Sequence, residues 1–409
     1  MSYPFPDNTD SYWLKSLPDS SFAELSDNIE VDVTIIGGGI SGIVTAYQLK
    51  QSGYRVAVLE QKTIASGTTG GTTGKLTSQH GLVYSRLMRK FGQKNAKTYG
   101  DAYERSLKNI AEIVKRESIN CSYEKQDNYV YTTYRDQLDV FEREATDAAS
   151  LGLPVSLVGS LDLPFDVVCA VKFANQAKMN AYDFTHQLAK RVAMDDSFVF
   201  ENSKALSIKD SDPCLVKTKR GSVRSKYVVI TTLIPPLPMF ARFGYAAVEY
   251  PETSYIVSAN VKKRLKGMYI SPDPNHYSIL QFRQGSKNVL LVGGESHIPG
   301  LGSAKNRQTA LADYARKWFG AETVNSAWGA MDYMAYDGLP LIGRVYPWSK
   351  NLLVISGLKK WGLAGSMVGA ETIVSIIQNE ETDQVKLFTP HRLSAPLSIP
   401  ETIARNFFH

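Results

Sequence analysis

The sequence of 409 residues has few cysteines, and they lie far apart. No two of them, at Cys121, Cys169 and Cys214, form a C-x-x-C motif, so the ligand spacing of a zinc site is absent. Three isolated cysteines also make no disulfide framework. We therefore expect three free thiols, no metal site and a reducing compartment, with the cytoplasm as the default location.

Long apolar runs are also missing. The longest uncharged apolar stretch, Tyr227–Ala241, contains three prolines and is too short to span a membrane as a helix. The N-terminal residues MSYPFPDNTDSYW are polar and acidic and do not read as a signal peptide. Lysine and arginine (46) only slightly outnumber aspartate and glutamate (40), and no basic tract is interleaved with aromatic residues. Nucleic acid is therefore not an expected partner.

What the sequence does contain is a glycine-rich turn directly after an apolar strand. Residues 31–42 read VDVTIIGGGISG, and the β-branched residues predict a strand that is buried on both faces. The spacing G-x-G-x-x-G permits a tight turn, close approach of a pyrophosphate to the backbone, and close packing of a helix on the sheet. The phosphates would bind at the N-terminus of that helix. The predicted contacts are Gly37, Gly39, Ile40, Ser41 and Gly42.

An acidic residue closes the next predicted strand. Val56–Leu59 forms that strand, and Glu60 follows it at a position where a carboxylate accepts hydrogen bonds from an adenosine ribose. A negative charge there disfavours a 2′-phosphate and therefore NADP. Gln61 and Lys62 complete the predicted nucleotide contacts. The alternative is a glycine-rich turn in an α/β sheet that binds no nucleotide.

A loop rich in glycine and hydroxyl residues comes next. Residues 66–81 read SGTTGGTTGKLTSQHG, and the four glycines within residues 67–74 argue against a regular helix. The loop is either flexible or wraps around the cofactor with its N–H and hydroxyl groups. We favour the second interpretation because the loop follows Glu60. Its predicted cofactor contacts are Gly67, Thr68, Thr69, Thr72, Thr73, Gly74, Lys75 and Leu76.

The hydrophobic patterns predict two interleaved domains. The strands near residues 31–60, 226–232 and 351–357 are apolar throughout, as in a parallel sheet. The strands between residues 254 and 293 alternate, as in an antiparallel sheet. The predicted parts are a nucleotide-binding domain (31–94, 175–236 and 327–385), a substrate domain (95–174 and 237–326), an N-terminal arm (1–30) and a C-terminal tail (386–409). The arm is either pinned to the body through Tyr12, Trp13 and Leu14 or disordered.

Three segments, in this order, resemble the D-amino acid oxidase, glycine oxidase and sarcosine oxidase family of FAD-dependent oxidoreductases. They are the G-x-G-x-x-G turn with Glu60, the strand KYVVITT at 226–232, and DGLPLIG at 337–343 followed by NLLVISGLKKWG at 351–362. The resemblance implies an α/β fold: a glutathione-reductase-type Rossmann FAD-binding domain with an inserted antiparallel-sheet substrate domain. The further FAD contacts that it implies are Thr232, Gly343, Lys360, Trp361, Gly362, Leu363 and Ala364.

Residues 72–81, TTGKLTSQHG, look most like a bacterial branch of this family. Members of that branch often append a Rieske domain, whose iron–sulfur cluster needs two cysteines and two histidines. No such ligand set follows residue 386, so any iron–sulfur partner is expected to be a separate protein. Some sarcosine oxidases attach FAD through a cysteine shortly before the D-G-x-P motif. Residues 327–332 read AWGAMD here, so we expect noncovalent FAD.

The resemblance implies removal of a hydride equivalent from the carbon beside the nitrogen of a small amine or amino acid. Positive potential from the N-terminus of the helix at 362–378, and from Lys359 or Lys360, would stabilise the reduced flavin. Lys75 lies where related oxidases place a basic residue over the flavin ring, which would activate oxygen through its charge or hold a water at the flavin N5. The alternative is a surface lysine on the glycine-rich loop. The further candidates are His80 as a substrate-side base or turn cap, Arg283 as a carboxylate clamp or surface residue, and Tyr255, Tyr277 and His297 on strands facing the flavin.

The sequence leaves two alternatives to an oxidase that uses oxygen. The first is a flavin dehydrogenase that passes electrons to a separate protein or quinone. The second is a non-catalytic flavoprotein subunit in which FAD is structural. Lys75, Lys359 and Lys360 favour catalysis, because a structural subunit has no need for cations beside the flavin.

Overall fold

The computed structural model describes residues 10–14, 22–237, 244–245, 247–274, 276–392, 402–403 and 405–406. Two large mixed sheets and a small one carry most of the described strands. No helix within the described residues is both long and apolar enough to cross a membrane. They also contain no cluster of three or more histidine, cysteine, aspartate or glutamate side chains suited to a metal ion.

The first sheet is built around the strand that precedes the glycine turn. Its parallel strands are, in spatial order, Phe198–Phe200, Val56–Leu59, Asn28–Ile36, Ser222–Ile230 and Leu352–Ser356. Three of its described strands are antiparallel. Leu341–Arg344 lies beside Leu352–Ser356, Cys214–Lys217 lies beside the first half of Ser222–Ile230, and Ser207–Lys209 lies beside Cys214–Lys217. All four residues of Val56–Leu59 are buried, which explains the continuous apolar run.

Helix Ile40–Gln51 packs against both Ala181–Val192 and Gly362–Ile377, and all three helices contact strands of the first sheet. Small residues allow the close approach. A Cβ added at Gly369 would lie 2.9 Å from Ile355 Cδ1, so this helix rests directly on its neighbouring strand. The side chain of Asn180 caps Ala181–Val192 by accepting hydrogen bonds from the N–H groups of Tyr182 and Asp183.

The second sheet is almost entirely antiparallel, with Met268–Ile270 and Asn128–Thr132 as its parallel pair. Its strands are, in spatial order, Val324–Ala335, Glu249–Val261, Lys287–His297, Ser278–Gln284, Met268–Ile270, Asn128–Thr132, Cys169–Phe173 and Val155–Val158. Helix Ala304–Phe319 packs on one face. The predicted return to the first domain at residue 327 falls inside strand Val324–Ala335, so the chain rejoins the first sheet only at Leu341.

The remaining elements join the two sheets. They are helices Thr68–Gly71, Tyr84–Arg116, Leu138–Ser150 and Asp383–Phe388, 3₁₀ turns Tyr12–Leu14 and Arg135–Gln137, and the small sheet of Lys75–Leu76, Ala177–Lys178 and Glu124–Lys125. The longest helix is kinked at Gly92, where φ is +81°, close to the predicted boundary at residue 94.

Ser11 and Trp13 of the N-terminal arm bind the glycine and threonine loop. Trp13 is buried, and its Nε1 donates a hydrogen bond to the Thr72 carbonyl oxygen at 2.6 Å. Ser11 Oγ donates to the Gly70 carbonyl oxygen. The loop itself is more regular than predicted, because one helical turn, Thr68–Gly71, and the strand Lys75–Leu76 lie within it.

Candidate active site

One cavity of about 730 Å³ is lined by residues of both large sheets. A volume of this size is typical of cofactor and ligand sites. Most residues predicted from the sequence line it: Gly37, Gly39, Ile40, Ser41, Glu60, Gln61, Lys62, Gly67, Thr68, Thr69, Thr72, Thr73, Lys75, His80, Thr232, Lys360, Trp361, Gly362 and Leu363. The cavity therefore joins the predicted nucleotide residues to the substrate-facing sheet.

The three glycines of the turn serve different purposes. Gly37 has φ +113°, and a Cβ added there would lie 2.9 Å from Thr231 Oγ1. A Cβ at Gly42 would lie 1.9 Å from the Gly37 carbonyl oxygen, so the helix can start this close to the turn only with glycine. At Gly39, φ is −75° and an added Cβ would meet only Thr69 Oγ1, at 3.2 Å. Gly39 thus keeps the backbone accessible from the cavity.

Glu60 is held at the edge of the cavity by backbone N–H groups. Its Oε2 accepts a hydrogen bond from Gly38 N at 2.7 Å, and its Oε1 accepts one from Lys62 N at 2.8 Å. These two bonds fix the carboxylate next to the glycine turn. Because each carboxylate oxygen has a second lone pair, Glu60 can still accept hydrogen bonds from the hydroxyl groups of a ribose.

Lys75 is buried at the cavity wall and has no acidic partner among the described residues. Its Nζ donates hydrogen bonds to the Tyr269 carbonyl oxygen at 2.5 Å and to Ser278 Oγ at 2.8 Å. Burial lowers the pKa of Lys75 to about 7. The side chain is therefore not the surface lysine of the alternative interpretation, and its burial favours the neutral amine over the cation.

A strained turn precedes helix Gly362–Ile377. Lys359 and Lys360 have φ values of +54° and +68°, a left-handed conformation that is costly for residues with a side chain. Backbone hydrogen bonds hold them there: Lys359 N donates to the Tyr333 carbonyl oxygen at 3.2 Å, and Lys360 N donates to Asp332 Oδ2. Burial lowers the pKa of Lys359 to about 8.

The N-terminus of the same helix opens into the cavity, where Trp361, Gly362 and Leu363 are lining residues. The side chain of Trp361, at the N-cap position, makes no capping hydrogen bond. The first N–H groups of the helix are therefore left for another acceptor, and the helix dipole adds positive potential at the same place.

A polar cluster of four residues lies on the substrate-facing side of the cavity, and we call it the Glu252 cluster. Lys360 Nζ forms an ion pair with Glu252 and donates a hydrogen bond to Ser296 Oγ at 2.7 Å. Asp332, the fourth member, accepts hydrogen bonds from two backbone N–H groups, and burial raises its pKa to about 6. Of these four residues, only Lys360 is predicted from the sequence as a site residue.

His80 lines the cavity, but both ring nitrogens are already engaged. Nδ1 shares a hydrogen bond with Tyr99 Oη at 2.5 Å, and Nε2 with the Thr77 carbonyl oxygen at 2.8 Å. The ring stacks on Trp361 with centroids 4.8 Å apart. Burial lowers the pKa of His80 to about 3. This arrangement supports the strained turn and leaves no nitrogen for the predicted role of a substrate-side base.

Tyr255, Tyr277 and His297 lie outside the cavity, contrary to the prediction. Tyr255 stacks on His297 with centroids 5.6 Å apart, and Tyr277 packs on Tyr314 of helix Ala304–Phe319 with centroids 3.9 Å apart. Successive residues of a strand point to opposite faces of a sheet. Accordingly, the neighbours of the two tyrosines line the cavity: Ser254, Ile256 and Ser278.

Arg283 is also outside the cavity, contrary to the prediction of a carboxylate clamp. It is exposed near the end of strand Ser278–Gln284, and its Nε donates a hydrogen bond to the Gly285 carbonyl oxygen in the following turn. No arginine of the described residues lines the cavity. The donors left for a substrate carboxylate are therefore lysine, hydroxyl and backbone N–H groups.

Five residues predicted as cofactor contacts do not line the cavity. Gly42 and Gly74 allow close packing, because a Cβ at either would overlap a carbonyl oxygen. Leu76 is a core residue, and the Ala364 carbonyl oxygen accepts a hydrogen bond from Ser106. Gly343 faces Pro390, to which an added Cβ would come within 3.0 Å, so it does not contact the cavity.

The chain is similar to known proteins in sequence and in fold. A family model described as "DAO: FAD dependent oxidoreductase" matches residues 32–376. The chain is 30% identical over 401 residues to the Bacillus subtilis protein named "Putative Rieske 2Fe-2S iron-sulfur protein YhfW", covering 97% of this chain and 78% of that protein.

Two solved structures have the same fold. Glycine oxidase from Geobacillus kaustophilus superposes with a TM-score of 0.76 at 21% identity, covering 89% of this chain and 99% of that one. L-proline dehydrogenase from P. horikoshii superposes with a TM-score of 0.75 at 18% identity, covering 89% and 98%.

Proposed function

Because the chain belongs to the DAO family of FAD-dependent oxidoreductases, we propose that it oxidises the C–N bond of a small amine or amino acid in this cavity. The observation that carries the proposal is that one cavity joins Glu60 and the glycine turn to Lys75 and the Glu252 cluster. Two proteins of the same fold, a glycine oxidase and an L-proline dehydrogenase, support an amino-group substrate.

The residues present fit FAD. Gly39 leaves an accessible backbone at a helix N-terminus for the pyrophosphate, and Glu60 offers acceptors for the adenosine ribose. The uncapped N-terminus of helix Gly362–Ile377 provides donors and positive potential for the ring system. When bound, FAD supplies the electron-accepting chemistry, taking a hydride equivalent from the substrate carbon beside the nitrogen.

The protein's own contribution is orientation and charge. The Glu252 cluster presents a carboxylate, an ammonium and a hydroxyl group to the cavity, and these can orient a small polar substrate. Apolar residues of the second sheet, Ile256 and Ile270, line the wall near Ser278 and limit access of water to Lys75. The cavity thus offers polar anchoring and an apolar wall to the same small molecule.

The test is anaerobic mixing of the purified flavoprotein with a panel of primary and secondary amines and amino acids. We expect at least one compound to bleach the absorbance of the oxidised flavin. Repeating the reaction in air and measuring peroxide distinguishes oxygen from a separate electron acceptor. If no compound of the panel bleaches the flavin, the proposal of C–N oxidation fails and a structural role for FAD gains support.

Replacing Glu60 with alanine should weaken FAD binding by about 1–3 kcal/mol, because a charged acceptor of hydrogen bonds is lost. Glu60→Gln is the matched control, since it keeps one acceptor oxygen and the side-chain length. Titration of the apoprotein with FAD gives the dissociation constants. An unchanged constant for the alanine variant would remove Glu60 from the nucleotide site.

FAD should be released intact when the protein is denatured in acid. None of the three cysteines lines the cavity, so no thiol is placed to form a bond to the flavin. After precipitation, the yellow colour should be in the supernatant. Colour that stays with the pellet would show a covalent link.

A further inference from the structure

We propose that Lys75 acts as the proton acceptor that converts the substrate ammonium into the free amine before oxidation. The inference rests on the proposed function, because it assumes an amine substrate in this cavity. It differs from the two roles that the resemblance implies for Lys75, which are activation of oxygen through its charge and retention of a water at the flavin N5.

The hydrogen-bond geometry carries the proposal. Lys75 Nζ has two protein partners, the Tyr269 carbonyl oxygen and Ser278 Oγ. A neutral amine has two N–H donors and one lone pair, whereas an ammonium has three donors and no lone pair. The two acceptors therefore use both N–H groups of the neutral form. The remaining tetrahedral position carries the lone pair and has no partner among the described residues.

The surroundings favour the neutral form of Lys75. Its burial lowers the pKa, and none of the described carboxylates offsets this effect with an ion pair. The titratable groups packed against it have partners of their own: Lys178 pairs with Glu124 on the small sheet, and the Tyr269 hydroxyl group donates to Asp162. The other titratable residues that line the cavity are Glu60, Lys62, His80, Glu252, His276, Asp332, Tyr333, Lys359 and Lys360.

The step is a simple proton transfer. The substrate R–NH₃⁺ gives one proton to the lone pair of Lys75 Nζ, which yields R–NH₂ and a lysine ammonium. The nitrogen lone pair that is freed on the substrate can then assist loss of hydride from the adjacent carbon. An alkylammonium group has a pKa of about 10, so the free amine is otherwise only about a thousandth of the substrate at neutral pH.

Two substitutions separate this role from a fixed charge. Lys75→Arg keeps a cation that cannot be deprotonated, and Lys75→Met keeps the apolar stem but no charge. With a base at Lys75, both variants should slow flavin reduction on the order of 100- to 1000-fold at pH 7. The loss should shrink as the pH rises towards about 10, because the substrate then deprotonates in solution. Stopped-flow absorbance with the best amine of the panel measures both effects.

Lys178→Met is the matched control. Lys178 is a buried lysine on the neighbouring strand, its Nζ bonds to the Gln281 carbonyl oxygen, and it does not line the cavity. This variant should keep the wild-type dependence on pH. FAD content and circular dichroism show whether each variant is folded. If Lys75→Arg reduces its flavin at the wild-type rate, or if the loss in Lys75→Met is the same at every pH, the proposal is overturned.

A second measurement does not depend on turnover. Lysine labelled with carbon-13 at Cε gives a resonance for Lys75, which Lys75→Met assigns by its disappearance. We expect this resonance to titrate near neutral pH in the flavoprotein, and a midpoint near 10 would overturn the proposal. If the wild type titrates as expected but no amine reduces its flavin, the proposed function fails and the base role fails with it. If an amine reduces the flavin of the wild type and of both Lys75 variants at the same rate, only the base role of Lys75 is excluded.

Discussion

Replacing Gly39 with leucine should abolish FAD binding and leave the apoprotein folded. The backbone of Gly39, with φ −75° and ψ 178°, is allowed for any residue. A Cβ there meets only Thr69 Oγ1, at 3.2 Å, and the rest of a leucine side chain has the cavity to occupy. This is the space in which the pyrophosphate must approach the backbone.

The measurement is the ratio of flavin to protein absorbance after purification, followed by FAD titration. Thermal unfolding of the mutant and wild-type apoproteins shows whether the fold survives. Gly42→Ala is the contrasting control, because its Cβ would overlap the Gly37 carbonyl oxygen and should destabilise the apoprotein itself. A Gly39→Leu protein that purifies with full flavin content would show that the cofactor binds elsewhere.

Replacing Asp337 with alanine should lower the free energy of unfolding by about 3–5 kcal/mol, because it leaves a buried arginine without its partner. The side chain of Asp337 is 0% exposed and that of Arg392 is 9% exposed. Their bidentate pair has distances of 2.6 and 2.9 Å and ties the DGLP turn to the C-terminal segment. Chemical denaturation, checked for reversibility, measures the loss.

Arg392→Met in the Asp337→Ala background provides the control. It removes the uncompensated charge, so the double variant should recover part of the lost stability. Arg392 also donates to the carbonyl oxygens of Leu339 and Pro340, which is why we expect no full recovery. A loss below about 1 kcal/mol in the single variant would mean that the pair behaves like an exposed one.

Sequence reasoning succeeds where the determinants of structure are local. The turn at Gly37–Gly42 and the carboxylate of Glu60 belong to one continuous unit, and each residue has a steric or electrostatic requirement that its neighbours impose. The helix Gly362–Ile377 is likewise predicted within one residue. These elements line the half of the cavity that we assign to the nucleotide.

The substrate half is predicted poorly because the strands there bury both faces. Tyr255 and Val257 pack towards helix Ala304–Phe319, while Ser254 and Ile256 line the cavity. The alternating pattern predicts a strand, but it does not show which of the two alternating sets of side chains faces the substrate. The sequence prediction of Tyr255 and Tyr277 is therefore wrong by one position, because the residues next to them line the cavity.

The Glu252 cluster is missed for a different reason. Glu252, Ser296 and Asp332 come from three strands, and Lys360 meets them only through a turn in which two lysines adopt left-handed backbone conformations. Nothing in the local sequence marks such a turn, because lysine has no preference for positive φ. Contacts of this kind depend on how distant segments of the chain come together.

The most direct test of C–N oxidation compares two deuterated forms of the amine that reduces the flavin fastest. One carries deuterium on the carbon beside the nitrogen, and the other carries it on a carbon farther along the chain. If hydride leaves the carbon beside the nitrogen, the first should reduce the bound flavin more slowly than the unlabelled amine, and the second should not. Equal rates for the first form and the unlabelled amine at every pH would contradict the account.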